Sequence, residues 1–257
     1  MKKQWWQKIF VPVIGEVMFN PILNQAKLEV DYLLSQVKLK PRSKILDLAC
    51  GFGRHSIPMA KKKFQVVGFD LTKNYLETAK ASAKKQKVSV DFVQGDMKEL
   101  KSHFDENEFD LVVSLFNSFG YFDRRADDMK MLKEISRVLK PGGRLVLNTL
   151  NGSGVRMQLS TRSRRGYEPM KNVFMLDSGV LEPSKKRVKA QWTVIDARKP
   201  KVSIHRTSFQ QNVYTHKELT TMLKTAGFKI EKTWGLLHGT PFVEKKSWHQ
   251  TIVAKKR

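Results

Sequence analysis

Between residues 44 and 150 the sequence alternates between short apolar runs and longer amphipathic stretches, and this alternation constrains the fold more than any other feature. Each apolar run has the length and the Val, Ile, Leu and Phe content of a strand buried on both faces. Alternation of this kind predicts an α/β fold, a Rossmann-like, doubly wound parallel sheet with helices on both faces. The predicted strands are 44–50, 64–70, 88–96, 109–117 and 144–150, and the predicted helices include 72–87, with Thr72 as N-cap, and 127–140, ended by Pro141-Gly142-Gly143.

The alternation stops after residue 150. Residues 151–170 are rich in Gly, Ser and Arg, and we predict a loop there. The stretches that follow alternate apolar and polar residues between turn residues, which is the pattern of antiparallel strands. The helical pattern returns at 216–228 and ends at Gly227, and two further strands follow it.

These patterns predict one domain over residues 1–257. Within it, residues 155–213 are predicted to be an inserted antiparallel β cap. Residues 1–43 are predicted to be an N-terminal helical lid near the ligand site. The aromatic residues of this lid are Trp5, Trp6, Phe10 and Phe19.

The chain is strongly basic, with 48 Lys and Arg against 24 Asp and Glu, so its formal net charge is +24. The excess is concentrated in residues 151–206, which hold 13 basic and 4 acidic side chains. Such a surface attracts nucleic acid, anionic lipid or an anionic small-molecule substrate. A lysine-rich surface that is merely well solvated explains the same composition.

Cys50 is the one cysteine of the chain, which excludes an internal disulfide and favours a reducing compartment. The N-terminus carries basic residues before an apolar run, but Glu16 interrupts that run, which is too short to span a bilayer. We therefore expect a cytoplasmic protein with no membrane partner.

Polar residues follow the first four predicted strands at the points where those strands end. Because the carboxyl ends of parallel strands lie at one edge of a sheet, these residues should meet in one crevice. They are Asp47 with the turn Cys50-Gly51-Phe52-Gly53, then Asp70, then Asp96 with Met97, and then Phe116 with Asn117.

The chemistry of this group suits a nucleoside that carries no pyrophosphate. Glycines at 51 and 53 let the backbone approach a ligand, and Asp70 can accept hydrogen bonds from two ribose hydroxyls. Asp96 can accept from an exocyclic amine, while Met97 packs on an adenine face.

The charged residues of the turn narrow the choice of ligand. Asp47 suits an ammonium or a sulfonium, and Arg54 suits a carboxylate. Together with a ribose and an adenine, these groups describe S-adenosylmethionine. A dinucleotide is the alternative, but Ser56 stands where the third glycine of its motif belongs.

Five motifs, in this order and spacing, resemble those of class I S-adenosylmethionine-dependent methyltransferases: ILDLACGFGRHSIPMA, VVGFDLT, VQGDM, FDLVVSLFNSFGYF and EISRVLKPGGRLVLNT. The resemblance implies a seven-stranded sheet with an antiparallel last strand, and the hairpin at 228–255 matches that strand. This sequence departs from the family pattern at Cys50, where the family commonly has glycine. Side-chain chemistry and the family resemblance together predict the cofactor-binding residues, which are Asp47, Ala49, Gly51, Gly53, Arg54, Asp70, Leu71, Asp96, Met97 and Phe116.

The motifs GRHS and NSFGYF and the β insert look more narrowly like bacterial small-molecule methyltransferases. We therefore expect methyl transfer to nitrogen or oxygen of a small molecule by in-line displacement, with no metal. Methylation of a nucleobase amine usually goes with a Pro-Pro motif that is absent here, and carbon-5 chemistry needs a cysteine that Cys50 does not supply. An RNA-modifying enzyme that uses the basic insert is the alternative, and strand edges of the insert suggest a homodimer.

A second group of residues is predicted on the acceptor side of the site. Its predicted catalytic residues are His55, Asn117, Tyr121 and Tyr214, with His205 and Arg206 as further candidates on the insert. Each also has a structural interpretation. His55 can pack or cap at a helix start, Tyr121 can lie in the core, and the insert residues can lie on the surface.

Overall fold

The computed structural model describes residues 12–19, 24–159, 163–182, 184 and 186–257. Trp5, Trp6 and Phe10 of the predicted lid lie outside these residues. The helices are α1 (Pro12–Phe19), α2 (Gln25–Gln36), α3 (Ser56–Lys61), α4 (Lys73–Lys85), α5 (Arg125–Val138), α6 (Gly152–Gln158) and α7 (His216–Thr225). The strands are β1 (Lys44–Leu48), β2 (Gln65–Asp70), β3 (Asp91–Gln94), β4 (Phe109–Ser114), β5 (Leu139–Leu150), β6 (Ser163–Met170), β7 (Val173–Glu182), β8 (Arg187–Asp196), β9 (Ser203–Asn212), β10 (Phe228–Trp234) and β11 (His249–Lys256).

The central sheet has seven strands in the order β10-β11-β5-β4-β1-β2-β3. Strands β1 to β5 are parallel, and β11 is antiparallel to both β5 and β10. Helices α5 and α7 pack on one face, and α2 and α3 pack on the other. Burial of nearly every residue of the inner strands explains their continuous apolar sequence. The predicted doubly wound sheet with an antiparallel last strand is confirmed.

Several element boundaries differ from the prediction. Helix α5 ends at Val138, and β5 begins at once and runs through the Pro-Gly-Gly segment. The pairing of β4 with β5 skips from Leu139 to Arg144, so this segment forms a bulge in which Gly142 has φ +75°. Thr72 precedes α4 as predicted, but its side chain makes no capping hydrogen bond.

The insert is a separate four-stranded antiparallel sheet in the order β6-β7-β8-β9, which we call the cap. The predicted loop at 151–170 is wrong, since that segment forms α6 and β6. Its glycines serve close packing: a side chain at Gly154 would collide with the carbonyl group of Ser247. The Asn151 side chain caps α6 by accepting from the Ser153 amide at 3.2 Å.

Helix α1 lies against the cap. Ile14 and Val17 of α1 are buried with Val173, Met175 and Val194 of the cap. An ion pair between Glu16 and Arg198, 3.0 Å apart, links the same two elements. None of the described helices combines the length and the apolarity needed to cross a bilayer.

Candidate active site

A cavity of about 720 Å³ opens at the carboxyl ends of β1, β2 and β4. One wall consists of the turns that follow these strands, and the opposite wall is the inner face of the cap. Helix α1 contributes Ile14, Gly15 and Met18. The two walls therefore face each other across one continuous space.

The glycine turn after β1 is held tightly under this cavity. The amides of Ala49 and Cys50 both donate to the Phe69 carbonyl, at 2.8 and 3.1 Å. Ala49 and Gly51 have positive φ values of 62° and 54°, and both line the cavity. Gly53 does not line it, so its predicted approach to the ligand needs correction. A side chain there would lie 2.9 Å from the Phe92 ring, so Gly53 is required by packing.

Asp70 ends β2 and is fixed by the backbone around it. One carboxylate oxygen accepts from the Gly51 amide at 2.8 Å, and the other accepts from the Thr72 amide at 2.8 Å. Burial raises the pKa of Asp70, and the backbone hydrogen bonds oppose this rise. Asp70 lines the cavity, so a ligand bound there would meet its carboxylate.

Asp47 lies in the same wall and is only 2% exposed. It accepts a hydrogen bond from the Ser56 hydroxyl at 2.5 Å. Burial raises its pKa to about 6, the Ser56 hydrogen bond opposes the rise, and the nearby charge of Asp70 adds to it. Two buried carboxylates in one wall favour a cationic ligand over a phosphate.

Arg54 and His55 share a partner that the sequence did not predict. Glu29 of α2 accepts from Arg54 Nη2 at 2.7 Å and lies 2.8 Å from His55 Nε2. Arg54 was predicted to meet a ligand carboxylate, but the carboxylate that it meets is this one. A glutamate on the buried stripe of α2, between Ala26 and Val30, was the signal that could have revealed the cluster.

The charges of this cluster are mutually stabilised. Burial raises the pKa of Glu29, but the His55 hydrogen bond and the Arg54 charge outweigh it, so the net shift is downward. Burial, together with the Arg54 charge, lowers the pKa of His55 to about 4. His55 is therefore neutral at pH 7, and both Arg54 and His55 line the cavity.

The remaining predicted cofactor residues also line the cavity: Leu71, Asp96, Met97 and Phe116. Asp96 accepts from the Lys98 amide at 2.9 Å and thereby caps the short 3-10 helix Met97–Ser102. Its carboxylate is thus held in place beside Met97, in the arrangement expected for an adenine site.

The end of β4 carries a second polar cluster. Phe116 and Asn117 have φ values of 56° and 62°, a strained conformation for residues other than glycine. Gln211 of β9 holds this turn by donating to the carbonyls of Asn117 and Phe119, both at 2.9 Å.

His249 of β11 joins this cluster and was not predicted. The Asn117 amide nitrogen donates to His249 Nε2 at 3.0 Å, which places the proton of the neutral ring on Nδ1. Burial lowers the pKa of His249 to about 4. Its position, 132 residues from Asn117, gave no local signal in the sequence.

The cap wall contains an aromatic group together with a carboxylate. The Phe209 ring lies 4.5 Å from the Trp192 ring and 5.8 Å from the Tyr121 ring, measured between centroids. Asp177 is half-buried beside them and lines the cavity with them. Tyr121 is therefore at the cavity, where an acceptor-side residue was predicted.

Three predicted acceptor-side residues do not reach the cavity. Tyr214 is buried below it, where its hydroxyl donates to Asp128 Oδ2 at 2.6 Å and Arg125 lies 4.0 Å from its ring centroid. Its role is thus to hold the chain behind the site. His205 and Arg206 are exposed on β9 and lie outside the cavity lining. No cluster of three or more His, Cys, Asp or Glu that could hold a metal exists among the described residues.

Comparison with known proteins finds a family match for the part of the chain that contains the glycine turn. Residues 45–143 match the family described as "Methyltransferase domain". Over these residues the chain is similar to a methyltransferase domain. The methyltransferase domain therefore spans the strands that build the predicted cofactor wall, and the predicted resemblance is confirmed.

Relatives and solved structures agree with this assignment. A demethylmenaquinone methyltransferase of Lactococcus lactis is 40% identical over 107 residues, which are 40% of each chain. The chain thus spans only about half or less of the curated relatives that it matches. An S-adenosylmethionine-dependent methyltransferase from Clostridium acetobutylicum covers 93% of this chain, and 96% of its own, with a TM-score of 0.81 and 19% identity. CalS10, an amino pentose methyltransferase of Micromonospora echinaspora solved with S-adenosylmethionine bound, covers 100% of this chain and 98% of its own, with a TM-score of 0.64 and 19% identity.

Proposed function

We propose that this protein is an S-adenosylmethionine-dependent methyltransferase that methylates nitrogen or oxygen of a small molecule. The observation that carries the proposal is the single cavity between the methyltransferase domain and the cap. Its first wall has the carboxylates that a cationic nucleoside requires. Its second wall has the apolar and aromatic surface of a small-molecule site.

The cavity wall fits the cofactor better than it fits a dinucleotide. Asp70 would accept from the ribose hydroxyls, and Asp96 with Met97 would hold the adenine. Asp47 would face the positive charge of the ligand. The pyrophosphate of a dinucleotide would instead lie beside the buried carboxylates of Asp47 and Asp70, where like charges repel strongly.

S-adenosylmethionine, when bound, supplies a methyl group that its sulfonium already activates. The protein therefore has to align the acceptor and exclude water. In the transfer, a bond forms between the acceptor atom and the methyl carbon, the bond from that carbon to sulfur breaks, and the acceptor gives up a proton. His55, Asn117 and Tyr121 lie where they could orient the acceptor. The structural similarity to CalS10, an amino pentose methyltransferase, supports a small polar acceptor.

The alternatives for partner and assembly stay predictions. An RNA substrate stays an alternative because the cap is rich in basic residues. A homodimer stays an alternative because the cap has strand edges that could pair with a second chain. A cytoplasmic location and the lid function of residues 1–43 also stay predictions.

Isothermal titration calorimetry tests the proposed cofactor. We expect saturable binding of S-adenosylmethionine and S-adenosylhomocysteine, and no binding of NAD under the same conditions. A screen of small amines and alcohols with a labelled methyl donor then tests transfer. Binding of NAD in preference to the other two ligands would contradict the proposal.

The raised pKa of Asp47 predicts a pH dependence of cofactor binding. A cationic ligand binds the ionised carboxylate, so affinity falls as the pH drops through about 6 and Asp47 becomes protonated. Between pH 7 and pH 5 we expect S-adenosylmethionine to bind about tenfold more weakly. Titrations at both pH values check this. In the Asp47→Asn variant, the affinity for S-adenosylmethionine should already be low at pH 7 and should no longer depend on pH between 7 and 5. If the variant kept the wild-type pH dependence, Asp47 would not be the group that binds the cation.

A further inference from the structure

The register of the cap strands brings one set of side chains to the cavity. Asp177 of β7 lies directly opposite Trp192 of β8. In the next inward-facing row, Gly179 pairs with Ala190, and Ala190 pairs with Phe209 of β9. All five residues line the cavity. The inner face of the cap thus has a carboxylate and aromatic rings around two positions without bulky side chains.

Gly179 is not required by the fold at this position. Its φ lies outside the left-handed region, and an added Cβ would have its nearest neighbour, Leu159 Cδ1, at an ordinary 3.8 Å. Packing would accept a larger residue there. The glycine therefore leaves room on the cavity side of the sheet, next to Ala190, where a ligand group can lie.

The aromatic rings around this space can attract a cation. Trp192 and Phe209 meet edge to face at 69°, and the Tyr121 ring lies 5.8 Å from the Phe209 ring with an angle of 35° between the planes. The faces of aromatic rings attract a cation, most strongly the face of an indole. Because all three rings line the cavity, an ammonium group bound there would lie beside aromatic surface.

Asp177 supplies the negative charge. Burial raises its pKa, while a hydrogen bond from Trp192 and the charge of Arg165 oppose the rise. Arg165 lies opposite Asp177 on β6 and lines the same cavity, and its side chain is largely exposed to solvent. Within 4.0 Å of the Asp177 carboxylate there is no cationic group among the side chains that the structure describes. A half-buried carboxylate without an ion-pair partner is best satisfied by a cationic ligand.

We propose that this face of the cap is the acceptor site of the methyltransferase and that the acceptor is an amine, recognised as its ammonium ion between Trp192, Phe209 and Asp177. The inference rests on the proposed function and narrows its acceptor from nitrogen or oxygen to nitrogen. It also replaces the anionic substrate that the net charge suggested, because the aromatic rings and the Asp177 carboxylate of this wall attract a cation, although Arg165 lines the same cavity. Before methyl transfer the nitrogen gives up one proton, which the Asp177 carboxylate can accept.

Three isosteric probes test the site without knowledge of the natural acceptor. Tetramethylammonium is cationic, tert-butanol is neutral and pivalate is anionic, and each has a sharp methyl resonance for saturation-transfer difference NMR. Each would be titrated into the full-length protein with and without S-adenosylhomocysteine. We expect saturable binding of tetramethylammonium, at least tenfold tighter than that of the other two probes.

Variants locate the binding. Asp177→Asn and Trp192→Leu should each weaken tetramethylammonium binding at least tenfold, and Trp192→Phe should weaken it less because an aromatic face remains. The control variant Asp105→Asn removes an exposed carboxylate outside the cavity lining and should leave the affinity for tetramethylammonium unchanged. Equal binding of the three probes, tighter binding of pivalate, or insensitivity to both cap variants would overturn the inference.

Calorimetry with S-adenosylhomocysteine on the same samples separates the two proposals and shows that each variant is folded. If S-adenosylhomocysteine binds and tetramethylammonium does not, the amine site is refuted and the proposed function stands. If S-adenosylhomocysteine fails to bind the folded protein, the proposed function is refuted whatever the probes show.

Discussion

Replacing Asp70 by alanine is expected to weaken binding of S-adenosylhomocysteine at least about 100-fold, since the carboxylate would supply two charge-assisted hydrogen bonds worth together about 3 kcal/mol. The same change also leaves the Gly51 and Thr72 amides without their acceptor, so the turn itself loses support. Calorimetry measures the affinity, and thermal unfolding shows whether the variant is folded. Asp70→Asn keeps one side-chain oxygen as an acceptor, so its affinity for S-adenosylhomocysteine should lie between those of the wild type and Asp70→Ala.

The matched control for this prediction is Asp91→Ala. Asp91 is an exposed aspartate at the amino end of β3, so it lies on the neighbouring strand but at the opposite edge of the sheet. Its replacement should leave the affinity unchanged. If Asp70→Ala bound S-adenosylhomocysteine as well as the wild type does, the assignment of the cofactor wall would be wrong.

Replacing Glu29 by glutamine is expected to lower the free energy of unfolding by about 3 kcal/mol, because it removes the carboxylate that is ion-paired with the buried Arg54 guanidinium. The side chains of Glu29 and Arg54 are only 7% and 3% exposed, so water cannot compensate. Chemical denaturation at pH 7 measures the difference. The folded protein lowers the pKa of Glu29 below its ordinary 4.5, so this stabilisation is present above pH 4.5 and is lost as the pH falls through the lowered pKa.

Two further variants make the Glu29 prediction specific. Glu77→Gln breaks an exposed pair with Lys73 on α4, 3.9 Å apart, and should change stability little. The double variant Glu29→Gln with Arg54→Met removes both charges and should be more stable than Glu29→Gln alone. A Glu29→Gln protein as stable as Glu77→Gln would show that the buried pair has no role in folding.

The cofactor half of the site could be predicted from the sequence because topology alone brings its residues together. Parallel strands end at one edge, so Asp47, Asp70 and Asp96 had to converge once the strands were recognised. Gly53 was misplaced because spacing cannot show whether a glycine faces a ligand or a neighbouring ring. That distinction depends on Phe92, which lies on another strand.

The acceptor half could not be predicted in the same way. Asp177 and His249 reach the cavity through the register of the cap strands and the antiparallel return of β11. Glu29 reaches Arg54 and His55 through the packing of α2. None of these long-range relations leaves a local pattern. Tyr214 was misassigned for the complementary reason: it follows the insert closely, yet its hydroxyl turns inward to Asp128.

The cap leaves and rejoins the central fold at a single point. Asn151 and Tyr214 form a β-bridge, and the Gly152 amide donates to the Tyr214 carbonyl at 2.9 Å. The two ends of the inserted segment therefore lie side by side. The number and the sequence of the residues between them can change without altering the order of the seven strands. If the cap holds the acceptor as we propose, acceptor specificity can change through replacement of the whole cap, while the strands and turns of the opposite wall stay the same.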